Sequence, residues 1–211
     1  AAIADGRRAV AEVTGLRSGT VRLGAGATVC SEILPPYLAS FHEHHPGVLL
    51  RLREGDNQHI IDQLLDGTVD IALATDTGDI PNGWVQERWL EDTVGLYAAP
   101  DRAGSEVIAF RRGAAIRTLL DRAWPDADIA MELGSVSAVR AHAEQGVGLA
   151  LLSTRSVTSA VEAGTLVPVA RPGFPLRRDF VICYRGLDRL PPAAAALRAW
   201  LRNGAPRGSD I

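Results

Sequence analysis

The alternation of short apolar strands with amphipathic helices most constrains what this chain folds into. Val21, Leu23 and Ala25 alternate with Arg22 and Gly24, which predicts a first strand. The pattern continues as a helix near residues 33–41, a strand over 48–54, a helix near 60–65 and a strand over 69–74. This order is typical of a doubly wound parallel α/β unit.

Polar loops follow the strands of this predicted unit. Because ligand sites of doubly wound sheets lie at the carboxyl ends of the strands, these loops are expected to meet at one edge. They carry Gly26, Ala27 and Thr28 after the first strand, Asp56 and Asn57 after the second, and Thr75 and Asp76 after the third. A helix start exposes N–H groups with partial positive charge, so the first loop favours a small, anionic ligand.

Helix capping is the structural alternative for several of these polar side chains. The Thr28 hydroxyl can cap the helix that follows it, and either Asp56 or Asn57 can cap the next one. Ser135 stands at a similar helix entrance later in the chain. Capping and ligand binding therefore both stay open for Thr28, Asn57 and Ser135.

The strand and helix pattern begins again in the second half of the chain. Residues 84–89 and 93–98 are predicted as two strands, and further strands are predicted over 107–110, 128–131, 149–152 and 166–169, with helices between them. Gly134 and Ser135 form the entrance to one of these helices. A second α/β unit therefore occupies about residues 101–176. A strand over 180–184 and a helix over 191–203 close the pattern.

The composition indicates an ordinary globular protein without a nucleic-acid or membrane surface. Of 211 residues, 46% are apolar and 22% are charged, and the formal net charge is −3. This slightly acidic balance does not indicate the basic face of a nucleic-acid-binding domain. Apolar runs stay well below the ~20 residues that span a bilayer, and no signal peptide opens the sequence. A cytoplasmic protein is therefore expected.

The sequence carries no motif for catalytic, cofactor or metal chemistry. His42, His44 and His45 do not share one helix face and HExxH is absent, which favours a solvated helix end over a metal site. Gly24 and Gly26 resemble part of a dinucleotide-binding loop, but Val29 stands where the third glycine belongs. GxSxG, GxxxxGK(S/T) and paired CxxC motifs are also absent. We expect no catalytic residues, no metal and no cofactor.

The two cysteines, Cys30 and Cys183, lie far apart and form no CxxC pair. Reduced thiols in a cytosolic protein are the favoured interpretation. The alternative is a redox-active or ligand-contacting thiol at Cys30, because this residue lies in the first polar loop.

The order and spacing of these elements resemble the effector-binding domain of LysR-type transcriptional regulators. The resemblance covers nearly everything from Leu16 to Arg202, through the segments SGTVRLGAGAT, ILPPYLASFHEHHPGV, LREGDNQHIIDQLLDGTVDIALA, WLEDTVGLYAAP, ELGSVSAVRAHAEQGVGLALLS and RRDFVICYR. It implies an α/β fold of two Rossmann-like subdomains joined by two crossing strands, similar to type 2 periplasmic binding proteins. It also implies a ligand sensor rather than an enzyme.

The resemblance implies a division of the chain into two subdomains. Subdomain I is expected at residues 18–98 and 180–202, and subdomain II at 99–179. Residues 1–17 resemble the end of the family's linker helix, and 203–211 are expected to form a tail. The family's N-terminal winged helix-turn-helix is absent from the sequence, so DNA is expected as a partner only through that missing part.

The resemblance places a small-molecule effector in the cleft between the subdomains. The residues expected there are Gly26, Ala27, Thr28, Val29, Asp56, Asn57, Thr75, Asp76, Gly134, Ser135, Gly146 and Val147. The first loop of these regulators usually carries two hydroxyl residues. Thr28 keeps one, but Gly26 stands where the other is expected, which weakens the case for a small oxyanion in a double hydroxyl clamp and leaves space for a bulkier ligand.

Members of the family dimerise side by side, which implies a homodimer or a tetramer. In such dimers the first helix packs against a subdomain II helix of the partner. Tyr37, Phe41, Arg140 and His142 are the candidates for that surface. The alternative function is a solute-binding protein or an enzyme on the same two-lobed fold, because the fold does not choose between them.

Overall fold

Strands and helices alternate throughout the part of the chain that the structure describes. The structure is a computed structural model, and it describes residues 18–204 except for 77, 79, 81 and 103. The strands are β1 (Gly19–Ala25), β2 (Val48–Glu54), β3 (Ile71–Thr75), β4 (Val85–Ala98), β5 (Val107–Phe110), β6 (Ile129–Leu133), β7 (Leu149–Ser153), β8 (Val167–Pro168) and β9 (Leu176–Tyr184). The expected linker helix over residues 1–17, and the part of the expected tail 203–211 that follows residue 204, lie outside the described residues.

The helices pack on both faces of the sheet that these strands form. They are α1 (Leu34–His44), α2 (Asn57–Leu65), α3 (Ala115–Ala123), α4 (Val136–Glu144), α5 (Thr154–Glu162) and α6 (Pro192–Arg202). Asp56 caps α2, because its carboxylate accepts the His59 N–H at 2.8 Å. Ser135 caps α4 in the same way through the Ala138 N–H at 3.2 Å. Of the side chains expected to cap helices, Asp56 and Ser135 therefore do so.

A π-helical segment, Val29–Ile33, leads into α1. The Leu34 N–H donates to the Val29 carbonyl five residues back, and Pro35 and Pro36 follow at the second and third positions of α1. Proline has no N–H to donate, so it fits the first turn of a helix and not its interior. The prolines therefore coincide with the change from wider π winding to a regular α-helix.

All the strands belong to one nine-stranded sheet in the order β2-β1-β3-β9-β4-β7-β5-β6, with β8 beside β4. β1 pairs in parallel with β2 and β3, and β5 pairs in parallel with β6 and β7. Between these two parallel halves, β9 and β4 pair antiparallel with each other and with their outer neighbours. β4 and β9 are therefore the two crossing strands.

The crossing strands are longer than the sequence pattern predicted. The predicted strands over 84–89 and 93–98 form the single strand β4, with an irregular register between Arg88 and Leu90. β9 begins at Leu176 rather than at residue 180. The polar stretch stays within the strands because Asp92 of β4 lies directly opposite Arg178 of β9 and the two side chains pair.

The buried side chains form separate cores in the two halves of the sheet. In the first half, Ile71 and Leu73 of β3 face one cluster, whereas Ala72 and Ala74 face another on the opposite side, as the strand period of two requires. In the second half, β5, β7 and the helices around them form a third cluster. The two-lobed architecture that the sequence predicted is therefore present.

The change from one lobe to the other falls inside β4. Val94, Leu96, Tyr97 and Ala98 pack in the core of the second half, together with Ile108 of β5. The expected end of subdomain I after residue 98 therefore assigned the last part of β4 to the wrong side of the packing boundary. The cause is the length of β4, which runs through both lobes.

The histidines near the end of α1 have different surroundings. His42 and His44 are exposed, whereas His45 is buried against Phe41 and Trp200, with ring centroids 4.7 and 6.0 Å away. The expectation of a solvated helix end was therefore wrong for His45. Within the described residues no group of three or more His, Cys, Asp or Glu side chains is placed to hold a metal ion. The described helices include none with the length and apolar character to cross a membrane.

Candidate functional site

A cavity of about 90 Å³ lies where the polar loops of the first lobe face the second lobe. From the predicted site it is lined by Gly26, Ala27, Thr28, Val29, Asp56, Asn57, Thr75 and Gly134. These loops meet because β1, β2 and β3 are mutually parallel, so their carboxyl ends lie at one edge. The volume is below the ~300 Å³ typical of drug-sized pockets, so in this arrangement the cavity suits a very small ligand.

The first wall of the cavity is the start of the helical segment after β1. The Gly26 carbonyl accepts the Cys30 N–H at 2.9 Å, which leaves the N–H groups of the first helical residues without partners in the helix. Thr28 is 8% exposed, and its hydroxyl makes no capping hydrogen bond. A Cβ at Gly26 would meet nothing within 4 Å. The glycine thus leaves open space where the family's second hydroxyl is expected.

The second wall is braced by Asn57. Its amide nitrogen donates to the Thr75 carbonyl at 3.2 Å, and its amide oxygen accepts the Thr75 N–H at 2.8 Å. Asn57 therefore ties the loop after β2 to the end of β3, and its amide is already engaged on two sides. Asp56, not Asn57, caps α2, and ligand binding by Asn57 stays a prediction.

The third wall comes from the second lobe. It comprises Phe110 at the end of β5, Arg111 directly after it, the start of α3 at Ala114, Ala115 and Ile116, and Gly134 after β6. Ala114 provides no side-chain cap for α3, so a second uncapped helix start borders the cavity. The exposed Arg111 side chain makes no ion pair with any described residue, and its Nη1 lies 3.8 Å from where a Cβ on Gly134 would be.

Arg178 of β9 forms the floor of the cavity, where the crossing strands run. Its Nε donates to Asp92 Oδ2 at 2.8 Å, and its Cζ lies 4.6 Å from the centroid of the Phe180 ring. The side chain is 4% exposed, and Nη2 is buried without a hydrogen-bond partner among the described residues. Burial lowers the pKa of Arg178, against the opposing effect of Asp92. A buried donor without a hydrogen-bond partner lowers the free energy of unfolding by about 1–3 kcal/mol.

Both carboxylate oxygens of Asp92 have partners, one from the crossing strand β9 and others from the second lobe. Its Oδ1 accepts the Ser153 hydroxyl at 2.7 Å, and Arg155 Nε lies 3.7 Å from the same oxygen. The Asp92 side chain is 0% exposed. Ser153 also caps α5 through the Arg155 N–H at 3.2 Å. A chain of hydrogen bonds therefore connects Arg178 in the cavity floor, through Asp92 and Ser153, to the start of α5.

Four residues predicted for the site lie outside this cavity. Asp76 accepts from the Gly78 N–H and the Gln86 amide, and it borders an adjoining open groove that Thr75 and Arg178 also line. Ser135 is exposed and caps α4. Gly146 and Val147 precede β7, so they lie at its amino end, where Val147 accepts from Arg102 Nη2 at 3.3 Å. Because the cavity lies at the carboxyl ends of the parallel strands, Gly146 and Val147 do not border it, and a ligand role for them stays a prediction.

Two of the four predicted dimer residues are not available to a partner. Tyr37 is 7% exposed and packs on Trp89, and Phe41 is 0% exposed and packs on Trp200. Both side chains belong to the core of the first lobe, so this part of the prediction was wrong. Arg140 and His142 are half-buried on α4 and stay candidates for an interface.

Both cysteines are free, and their surroundings disfavour thiolate chemistry. Burial, with Glu54 adding to it, raises the pKa of the Cys30 thiol to about 12. Burial, with Asp76 adding to it, raises the pKa of Cys183 to about 12. The redox alternative for Cys30 therefore loses support, because the thiolate is the reactive form.

The raised thiol pKa values predict slow alkylation and a loss of stability in alkali. The folded state keeps both protons up to about pH 12, whereas the unfolded state releases them near the ordinary pKa of 9.0, so this stabilisation is complete below about pH 9 and is lost as pH rises toward 12. Both thiols should react with iodoacetamide slowly in the folded protein near neutral pH and rapidly in urea. Rapid alkylation of Cys30 in the folded protein would contradict the assignment.

Sequence reasoning missed the charged and apolar residues that complete the cavity. These are Glu54, Gly55, Leu73, Phe110, Arg111, Ala114, Ala115, Ile116, Arg178 and Phe180. Arg111 could have been found, because it directly follows β5 and the carboxyl-end rule applies to the second lobe as well. Arg178 carries no such signal, since it lies within a strand whose start the sequence pattern placed too late.

The LysR substrate binding domain family matches residues 14–206 of this chain. The Escherichia coli K12 regulator YeiE, named an uncharacterized HTH-type transcriptional regulator, is 29% identical over 200 residues, which cover 87% of this chain and 67% of YeiE. The RuBisCO operon transcriptional regulator of Allochromatium vinosum is 26% identical, covering 92% of this chain and 69% of that protein.

Solved structures of the same fold include other regulatory domains. The apo regulatory domain of HypT from Salmonella typhimurium has a TM-score of 0.78 at 14% identity, covering 89% of this chain and 95% of that one. The regulatory domain of Synechocystis CcmR in complex with 2-PG has a TM-score of 0.76 at 19% identity, covering 90% and 99%. With the family match over nearly the whole sequence, the chain belongs to the LysR substrate binding domain family and is such a domain of a transcriptional regulator.

Proposed function

We propose that this domain senses a small-molecule effector in the cavity between its two lobes and thereby controls DNA binding by an N-terminal winged helix-turn-helix outside this sequence. The observation that carries the proposal is the convergence of loops from both lobes on one cavity, with an uncapped helix start on each side. The CcmR regulatory domain in complex with 2-PG supports a small-molecule role for domains of this fold.

The proposed mechanism is a shift between arrangements of the lobes. A ligand that contacts both lobes binds more tightly where they lie close, so it favours that arrangement by its difference in affinity. In a homodimer or tetramer this changes the relative positions of the DNA-reading parts, which couples the effector to the operator. The proposed oligomer surface includes Arg140 and His142 of α4.

Membership of a regulator family favours a sensor over the alternative of a solute-binding protein or an enzyme on the same fold. The coding sequence upstream of this chain distinguishes these functions. A helix-turn-helix of about sixty residues is expected there for a regulator. A secretion signal in its place would favour the solute-binding alternative.

A thermal-shift screen of the purified chain tests the sensor function. Small carboxylates, aromatic acids, amino acids and sulfur oxyanions are the compounds to include, because a specific ligand raises the melting temperature by mass action. At least one class is expected to give a saturable shift. A screen in which no compound does so would count against the proposal.

Replacing Thr28 by Val is expected to weaken binding of a ligand found in that screen about twofold to tenfold, the equivalent of one neutral hydrogen bond. The near-isosteric change should leave the melting temperature almost unaltered, because the hydroxyl caps no helix. Ser135→Ala is the matched control: it removes the α4 cap and costs about 0.5–2 kcal/mol of stability. Its affinity for the ligand should equal that of the wild type. The opposite pattern in the two variants would move the site from Thr28 to Ser135.

A further inference from the structure

Arg178 is an incompletely satisfied cation in the floor of the cavity. Its side chain is 4% exposed, and only Nε hydrogen-bonds to a described acceptor, Asp92 Oδ2 at 2.8 Å. Nη2 is buried and has no partner among the described residues. A guanidinium has five N–H donors in a fixed planar fork, so most of the hydrogen-bonding capacity of this group is unused.

Asp92 has little capacity left to satisfy the rest of that guanidinium. Its second oxygen accepts the Ser153 hydroxyl at 2.7 Å and lies 3.7 Å from Arg155 Nε. One buried carboxylate therefore faces two guanidinium groups, those of Arg178 and Arg155. The next acidic side chain on β9, Asp179, is paired with Arg88 at 2.8 Å. The two guanidinium groups therefore outnumber the one carboxylate, and the net charge of this cluster is positive.

The other groups around the cavity add to this positive character on two sides. The helix starts at Ala27 and at Ala115 have no side-chain caps, and Arg111 forms no ion pair with a described residue. On the remaining side lie Glu54, which is exposed, and Asp56, whose carboxylate is engaged by the His59 N–H. These two carboxylates disfavour a second anionic group at the end of β2.

We propose that Arg178 is the anion-binding residue of the cavity, and that the effector carries one oxyanionic group, a carboxylate, a sulfonate or a phosphoryl group, whose oxygens accept from its free N–H groups. This inference rests on the proposed function and specifies its ligand chemistry. The helix starts from the two lobes and Arg111 contribute the remaining positive potential. Charge-assisted hydrogen bonds to a planar guanidinium favour a flat or branched oxyanion over a neutral carbonyl.

This arrangement differs from a double hydroxyl clamp, for which Gly26 lacks the second hydroxyl. The oxyanion is held from the crossing strands rather than by the first loop alone. Arg178 lies opposite Asp92 in the pairing of β9 with β4, and these strands connect the lobes. An anion bound to Arg178 is therefore placed at the junction of the lobes.

Matched acid and amide pairs test the charge requirement directly. Calorimetric titration of the whole chain with glycolate and glycolamide, benzoate and benzamide, and inorganic phosphate separates charge from shape. At least one acid is expected to bind saturably, and its amide to bind about tenfold or more weakly. Glycolate, benzoate and phosphate also distinguish a carboxylate from a phosphoryl group.

Two arginine variants on the same strand test the residue. Arg178→Lys keeps the charge beside Asp92 but loses the planar fork, and it should bind the acid about tenfold or more weakly. Arg177→Lys is the control, because its side chain is 78% exposed and its ion pair with Glu91 lies outside the cavity. It should bind as the wild type does. Should Arg178→Lys fold poorly, the Nε–H signal of Arg178 in wild-type ¹⁵N spectra should move on titration with the acid.

The possible outcomes separate the two proposals. Equal binding of acid and amide, wild-type affinity in Arg178→Lys, or an unmoved Arg178 signal during saturable binding overturns the role of Arg178 and leaves the cavity as a ligand site. Absence of saturable binding by every member of every pair, and by the compounds of the thermal-shift screen, overturns the proposed function together with it.

Discussion

Asp92→Ala is expected to destabilise the fold by about 3–5 kcal/mol, because it leaves the Arg178 guanidinium buried without its counter-charge. The Asp92 side chain is 0% exposed and accepts from Arg178 at 2.8 Å and from Ser153 at 2.7 Å. For a domain of this size each kcal/mol lowers the melting temperature by about 2–4 °C. Urea denaturation and thermal unfolding of the variant should both show the loss.

The control for this variant is Asp179→Ala on the neighbouring crossing strand. Asp179 pairs with Arg88 at 2.8 Å, but the Arg88 side chain is 64% exposed. Ion pairs at such exposure contribute about 0–1 kcal/mol, so this variant should unfold close to the wild type. If Asp92→Ala were as stable as Asp179→Ala, the buried pair would not be what holds the crossing strands together.

Phe41→Ala is expected to cost a similar amount, about 3–5 kcal/mol, by opening a cavity in the core of the first lobe. Phe41 is 0% exposed, and its ring centroid lies 4.7 Å from that of His45 and 5.9 Å from that of Trp200. Loss of stability, not loss of an interface, should be the primary effect. Sedimentation under conditions where the variant remains folded should show the oligomeric state of the wild type.

The matched control is Leu49→Ala on the edge strand β2. Leu49 is 51% exposed, so its truncation should change the free energy of unfolding by no more than about 0.5 kcal/mol. A Phe41→Ala protein as stable as Leu49→Ala, with altered oligomerisation, would return Phe41 to the protein surface and contradict the packing described above.

The periodic pattern of the sequence predicted the order of strands and helices and the edge at which the loops meet. It did so because the alternation along β1 and the spacing along α1 and α2 are local properties of the chain. It did not distinguish an apolar stripe facing the protein's own core from one facing a partner, which is why Tyr37 and Phe41 were misassigned. Periodicity reports burial and not the identity of the covering surface.

The remaining differences come from contacts between distant parts of the chain. Residues 91–93 interrupt the apolar pattern of β4, yet the strand continues because Arg178, 86 residues away, neutralises Asp92. The role of Arg178 in the cavity depends on the same distant pairing, so no local pattern around it indicates a site. Ser135 and Thr28 look alike in sequence, and only the orientation of the two lobes separates a helix cap from a cavity wall.

The most direct measurement is a titration of ¹⁵N-labelled protein with the acid selected by the screen, followed by NMR. The sensor function predicts saturable changes concentrated at the two helix starts, near Ala27 and Thr28 and near Ala115, and at the Arg178 side chain. The chemical shifts of Gly146 and Val147, which precede the amino end of β7 away from the cavity, should not change. Saturable changes confined to that end, or to the exposed edge strand β2, would contradict a ligand site between the lobes.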